Sequence, residues 1–186
     1  MPRKSLWSTH LHDTPQSLVT KHWGLSKVAR QPSQLAGLRL RVRTDADFAC
    51  LAGVWVASWR DAMPDIDFEA RREWLLDHLR ALEAAGAMTI CAFDGLNRLL
   101  GFVTFDPATA FLDQLAVAPE AKGTGAAKLL LSEARRLSPN GLVLDVNQDN
   151  ARALAFYERE GFATAAEGVN PRSGLKTWRL RSPGTA

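Results

Sequence analysis

The stretch Leu115-Ala116-Val117-Ala118-Pro119-Glu120-Ala121-Lys122-Gly123-Thr124-Gly125-Ala126-Ala127 carries a strand through a tight loop into a helix. Such a junction can bind diphosphate. Gly123 and Gly125 permit close backbone approach, and the unpaired N–H groups of the first helical turn face the anion with the helix dipole behind them. A plain strand-to-helix turn, with glycine needed only for positive φ, explains the same letters. Two rival phosphate motifs fail on these residues. A P-loop requires Gly-Lys-Ser/Thr after four intervening residues from its first glycine, and the dinucleotide fingerprint requires Gly or Ala where this chain has Lys128.

Working outward, the strand before the loop closes an antiparallel meander of three strands, Met88 to Asp94, Leu99 to Phe105 and Ala110 to Ala118, turned by Asp94-Gly95 and Asp106-Pro107. That context argues against the opening of a βαβ unit. Upstream, Leu38, Leu40 and Val42 alternate with Arg39, Arg41 and Arg43, the pattern of a half-buried strand. Thr44 and Asp47 resemble a capping box, after which Phe48, Leu51, Ala52, Trp55 and Trp59 share one helical face until Pro64. A second helix is expected over Asp67 to Ala85, with Leu75, Leu79 and Leu82 inward and Gly86 as its stop. Downstream, Gly125 to Leu137 reads as a helix, Leu142 to Val146 as a central apolar strand, Asn150 to Glu160 as a helix stopped by Gly161, and Phe162 to Ala166 with Leu175 to Arg181 as a final hairpin. The predicted order is β-α-α-β-β-β-α-β-α-β-β, an α/β (α+β) fold with a mixed, mostly antiparallel sheet of about seven strands and four main helices.

The bulk properties agree with one globular domain: 186 residues, 46% hydrophobic and 23% charged. No apolar run approaches the roughly 20 residues of a membrane-spanning helix. The first residues alternate polar and apolar side chains and lack the apolar core of a secretory signal, so a cytoplasmic protein is expected. Cys50 and Cys91 have no Cys or His at metal-ligand spacing and sit in apolar, periodic segments; buried reduced thiols are expected, with no metal. The formal charge of +3 is concentrated in residues 1–37, which hold five basic side chains against Asp13. The remainder is nearly neutral, so a nucleic-acid-binding face is not indicated. Residues 1–37, with Pro2, Pro15, Pro32 and no sustained periodicity, read as an N-terminal extension to a domain spanning 38–186.

Two segments together carry a resemblance. Lys122-Gly123-Thr124-Gly125-Ala126-Ala127 is similar to the Gln/Arg-x-x-Gly-x-Gly/Ala motif of the GNAT superfamily of N-acetyltransferases, with Lys in the first position. Lysine keeps the charge but loses the planar fork. Asn150, Ala153, Tyr157, Gly161 and Phe162 match a second family segment, Asn-x-x-Ala-x-x-x-Tyr-x-x-x-Gly-Phe, at every position. The resemblance covers Leu38 to about Arg181 and implies acetyl-CoA as cosubstrate and an amine as acceptor. It further implies that the strand holding Leu115, Ala116 and Val117 splays from its neighbour, offering backbone groups to the pantetheine arm and an oxyanion hole to the thioester. Residues Lys122, Gly123, Thr124, Gly125, Ala126 and Ala127 would hold the diphosphate.

Tyr157, the only tyrosine in the chain, would protonate the leaving thiolate, a task suited to a phenol with an ordinary pKa of about 10. A half-buried helical aromatic is the bland alternative. Asn150 could cap its helix, contact the pantetheine arm, or do both. For the base that deprotonates the amine, Asp113 is the first candidate, because two-residue alternation puts it on the face of Leu115; Asp145 is the second. Trp55 and Trp59 with Asp61, Asp65, Asp67 and Glu69 could draw a cationic amine, or could equally be core tryptophans and helix-start acids. A GNAT-like module that binds acyl-CoA without catalysis is the alternative function. The acceptor's identity and a homodimeric state are left open by the sequence.

Overall fold

The computed structural model describes residues 37–184; the expected N-terminal extension lies outside the described residues. Its elements follow the predicted order: β1 (Arg39–Val42), α1 (Phe48–Ala62), α2 (Arg72–Ala84), β2 (Met88–Phe93), β3 (Leu99–Asp106), β4 (Phe111–Val117), α3 (Ala126–Leu137), β5 (Val143–Asn147), α4 (Ala151–Arg159), β6 (Ala163–Val169) and β7 (Lys176–Arg181). The seven strands form one sheet in the order β1-β2-β3-β4-β5-β7-β6, antiparallel at every junction except β4 with β5.

Apolar residues cover both faces of this sheet. On one face Leu130 and Leu131 of α3 pack with Val103, Phe105, Leu144 and Leu180; on the other, Leu51 and Trp55 of α1 and Leu75 and Leu79 of α2 pack with Cys91 and Phe102. β3 is covered from both sides, so its sequence runs apolar without alternation. The capping box forms as expected: the Thr44 N–H and hydroxyl both donate to Asp47 Oδ2, at 2.6 and 2.9 Å. It opens a 3₁₀ turn that leads into α1.

Two expectations about burial need correction. Val42 is exposed where β1 ends at the sheet edge, although Leu38 and Leu40 are buried. Cys50 is exposed, since it falls on the outer flank of α1 between the inward Asp47 and Leu51; Cys91 is buried, and burial pushes its thiol up to about 12.

Two irregularities shape the middle of the sheet. β4 and β5 share one register pair, Phe111 with Val143, backed by the Val143 N–H bond to the Ala110 carbonyl at 2.9 Å; beyond it the two strands part. On its other side β4 pairs with β3 nearly throughout, but Thr104 faces Gln114 while Phe105 faces Leu112, which leaves Asp113 as the extra residue of a β-bulge.

Candidate active site

The parting of β4 from β5 frees one backbone edge. The Ala118 N–H bonds back to the Leu100 carbonyl of β3 at 2.8 Å. Successive N–H groups of a strand point to opposite sides, so those of Val117 and Leu115 point away from β3, toward the gap. No ladder with β5 consumes them, which leaves donors where ordinary pairing would have removed them.

The loop after β4 passes through a 3₁₀ turn at Pro119–Ala121 and enters α3 through two glycines in the left-handed region, Gly123 at φ 80° and Gly125 at φ 89°. A Cβ at either position would meet no atom within 4 Å. Backbone conformation therefore demands glycine here, and the open space above the loop belongs to the cavity. The Gly123 and Gly125 N–H groups make no hydrogen bond among the described residues, and the Ala127 and Lys128 N–H groups belong to the first turn of α3, which lacks i−4 acceptors. The Thr124 hydroxyl donates to the Ala121 carbonyl at 2.7 Å and braces the turn.

A cavity of about 420 Å³ extends from this loop to the gap, walled by Leu115 and Val117, by the end of α1 and by one flank of α4. Four cations line it: Lys122, Lys128, Arg152 and Arg159. Asp61, in the last turn of α1, is the acid among them. Its carboxylate pairs with Lys122 Nζ and lies 3.4 Å from Arg152 Nη1. The Lys122 hydrogen bond first, then the charges of Lys122 and Arg152, hold this carboxyl below the usual carboxylate range. The sequence reading missed Arg152 and Arg159, although their seven-residue spacing puts both on one flank of a helix.

A second cavity of about 240 Å³ opens on the other side, between β4, β5 and the turn joining β6 to β7. Five residues, Trp59, Leu115, Asn150, Ala153 and Tyr157, line both cavities and form the throat between them. Tyr157 is 7% exposed, and its hydroxyl makes no hydrogen bond to another described residue. Phe156 and Phe162 meet its ring edge-on at 5.3 and 5.2 Å, fixing its orientation. Burial alone pushes its phenol above the ordinary value. Asn150 caps α4, its Oδ1 accepting from the Ala153 N–H at 3.1 Å, while its side-chain amide N–H₂ donates to no described residue.

On the acceptor side the bulge alters the expected alternation. Leu115 packs toward the face of α3, whereas Asp113 turns to α2, where its Oδ1 lies 2.8 Å from His78 Nε2. Asp113 still lines the second cavity, reached by the bulge instead of by simple two-residue spacing. Asp145 also lines it, but forms a double hydrogen bond with Arg179, both at 2.8 Å. The two tryptophans of α1 divide their roles: Trp55 is buried with its indole N–H on Gln114 Oε1 at 2.9 Å, and Trp59 lines the throat. Asp67 caps a turn and Glu69 pairs with Arg72, so of the four acids after Trp59 only Asp61 lines either cavity. His78 went unremarked in the sequence. Its four-residue spacing from Trp74, beside the buried Leu75 and Leu79, is the signal that places both on a half-buried flank of α2.

Residues 39–162 match the Acetyltransferase (GNAT) family. The chain belongs to that family. Among curated GNAT relatives it is 39% identical over 51 residues to peptidyl-lysine N-acetyltransferase YjaB of Salmonella typhimurium, covering 27% of this chain and 34% of that protein. It is 34% identical over 87 residues to peptidyl-lysine N-acetyltransferase YiaC of Escherichia coli, covering 47% and 58%. The match thus spans about a third and somewhat over half the length of these relatives. Among solved structures, the apo form of YjaB from Escherichia coli superposes with a TM-score of 0.64 at 23% identity, over 80% of this chain and 99% of that one. The PaiA N-acetyltransferase of Thermoplasma acidophilum in complex with coenzyme A gives 0.65 at 20% identity, over 78% and 98%. At such identities these structures establish the shared GNAT fold. No helix among the described residues is long and apolar enough to cross a membrane.

Proposed function

We propose that the protein transfers an acetyl group from acetyl-CoA to a primary amine by direct attack within a ternary complex. The observation that carries this reading is the pair of cavities meeting at Tyr157, one lined by backbone donors and cations, the other by the carboxylates of Asp113 and Asp145. The residues present fit coenzyme A. The free N–H groups of Leu115 and Val117 suit the pantetheine amides, and Lys122 with the loop from Gly123 to Ala127 suits a diphosphate. The Asn150 amide N–H₂, unused by the cap, suits a carbonyl of the arm.

Bound acetyl-CoA would supply an activated acetyl thioester. Within the throat, the N–H edge of β4 stabilises negative charge on the thioester oxygen. Tyr157 holds a proton at its hydroxyl, which burial keeps there through neutral pH, and gives it to the departing sulfur. Asp113 removes a proton from the incoming ammonium. No covalent step on the enzyme is needed, and neither cysteine lines the cavities. Both curated relatives are named for peptidyl-lysine, so a lysine-bearing peptide is the first acceptor to try.

Calorimetric titration with acetyl-CoA and with CoA, followed by thiol release across a panel of amines, tests the reading. Binding well below millimolar with amine-dependent thiol release is expected. Absence of binding removes the proposal, and binding without turnover on any amine leaves an acyl-CoA-binding module.

A further inference from the structure

We infer that His78 of α2 is a positioning residue for deprotonation of the acceptor amine, holding Asp113 by one carboxylate oxygen and leaving the other for the substrate. The inference rests on the acyl-transfer reading above.

The bulge turns Asp113 out of the regular pleat and aims it at α2. Two donors then converge on Oδ1, His78 Nε2 at 2.8 Å and Gln114 Nε2 at 2.8 Å. An ionised carboxylate only accepts, so the proton of this pair resides on the imidazole Nε2. The Gln114 amide is oriented as well, because its Oε1 receives the Trp55 indole N–H at 2.9 Å, and indole can only donate. Oδ1 is thereby fully engaged, and Oδ2 has no partner among the described residues. A free oxygen with a fixed mate is the arrangement that a positioned proton acceptor requires.

The imidazole is itself held in place. Trp74 stacks on it with centroids 4.8 Å apart and planes at 19°. The Arg172 guanidinium lies 3.8 Å from the Trp74 ring centroid, and Arg172 belongs to the β6–β7 turn whose Asn170 and Pro171 line the acceptor cavity. One chain of contacts, Arg172 to Trp74 to His78 to Asp113, therefore ties the rim of that cavity to its proposed base. In the step itself an ammonium N–H bond breaks, an O–H bond forms at Asp113 Oδ2, and the nitrogen keeps the electron pair with which it attacks. The proton later leaves to water.

The test uses the full chain, acetyl-CoA and a lysine-bearing peptide, or whichever primary amine of the panel turns over. Asp113→Asn should lower kcat about 100-fold. His78→Leu should lower it about tenfold with the CoA Kd unchanged, while His78→Gln, which keeps an N–H donor, should recover most of the loss. Combining His78→Leu with Asp113→Asn should cost no more than Asp113→Asn alone, since His78 acts only through that carboxylate. If the Leu variant melts early, His78→Asn, polar but too short to reach Oδ1, serves in its place. Additive losses, a Gln variant as slow as the Leu variant, or an unchanged kcat would each overturn the role of His78. Acetyl-CoA binding with no turnover by the unaltered protein on any amine overturns the transfer reading and this inference with it.

Discussion

The cavities on either side of Tyr157 are made in different ways. The larger, on the side proposed for the cofactor, takes its hydrogen-bond donors mainly from backbone, namely the unpaired edge of β4, two glycines with positive φ and the first turn of α3, with four cationic side chains around them. The smaller, on the acceptor side, is built from side chains contributed by β4, β5 and the β6–β7 turn, with Asp113 oriented by α2. A backbone site has to be contiguous in sequence, because successive N–H groups create it. A side-chain site can draw on residues far apart in the chain, as His78 and Asp113 do. The contrast explains why one half of the site is a motif and the other is not.

A change at the throat that both halves share should be as damaging as the loss of the Asp113 carboxylate. Tyr157→Phe removes the proposed proton donor while keeping the ring and its packing, so kcat should fall about 100-fold with the CoA Kd nearly unchanged. Because burial raises this phenol, loss of the proton should cut turnover only above the ordinary phenol value of about 10. A basic limb below pH 9 that disappears in the Phe variant would show that this phenol is not raised in the working enzyme, and an acid limb that disappears would assign Tyr157 the opposite protonation state.

Gly101→Ala probes the backbone half from a distance. A Cβ there would lie 2.6 Å from the Ala116 carbonyl and 3.0 Å from Val117 Cγ2, so β3 and β4 would have to separate. Stability should drop by about 1–3 kcal/mol in urea unfolding. Coenzyme A should also bind more weakly, because the displaced strand is the one with the free N–H edge. Unchanged affinity at reduced stability would show that the cofactor side does not depend on the position of β4.

The smallest effect should have the opposite sign. Asp61 competes for Lys122 and Arg152, so Asp61→Asn should tighten CoA binding a few-fold at low salt, and the gain should shrink near 0.15 M salt as screening grows. Weaker binding would mean that Asp61 helps to hold the cofactor side open.

Element order, the meander, the glycine loop and the α4 segment were all legible in the sequence, because each follows from local spacing: alternation for strands, a left-handed turn needing glycine, an Asn cap before a helix. The face of Asp113 was not. Two-residue alternation predicts that it shares the face of Leu115, and a bulge formed against β3 turns it the other way. Cys50 and Val42 misled for a related reason, since apolar neighbours indicate a buried element without saying which flank of it meets the core.

By itself, the sequence determined the fold class and the glycine turn that leads into α3, because local spacing encodes both. Only the tertiary structure decided how far β4 parts from β5, that Asp61 pairs with Lys122, and that His78 meets Asp113. Those are relations between segments far apart in the chain, and the distance between such segments is set by packing across the sheet, which no local pattern records.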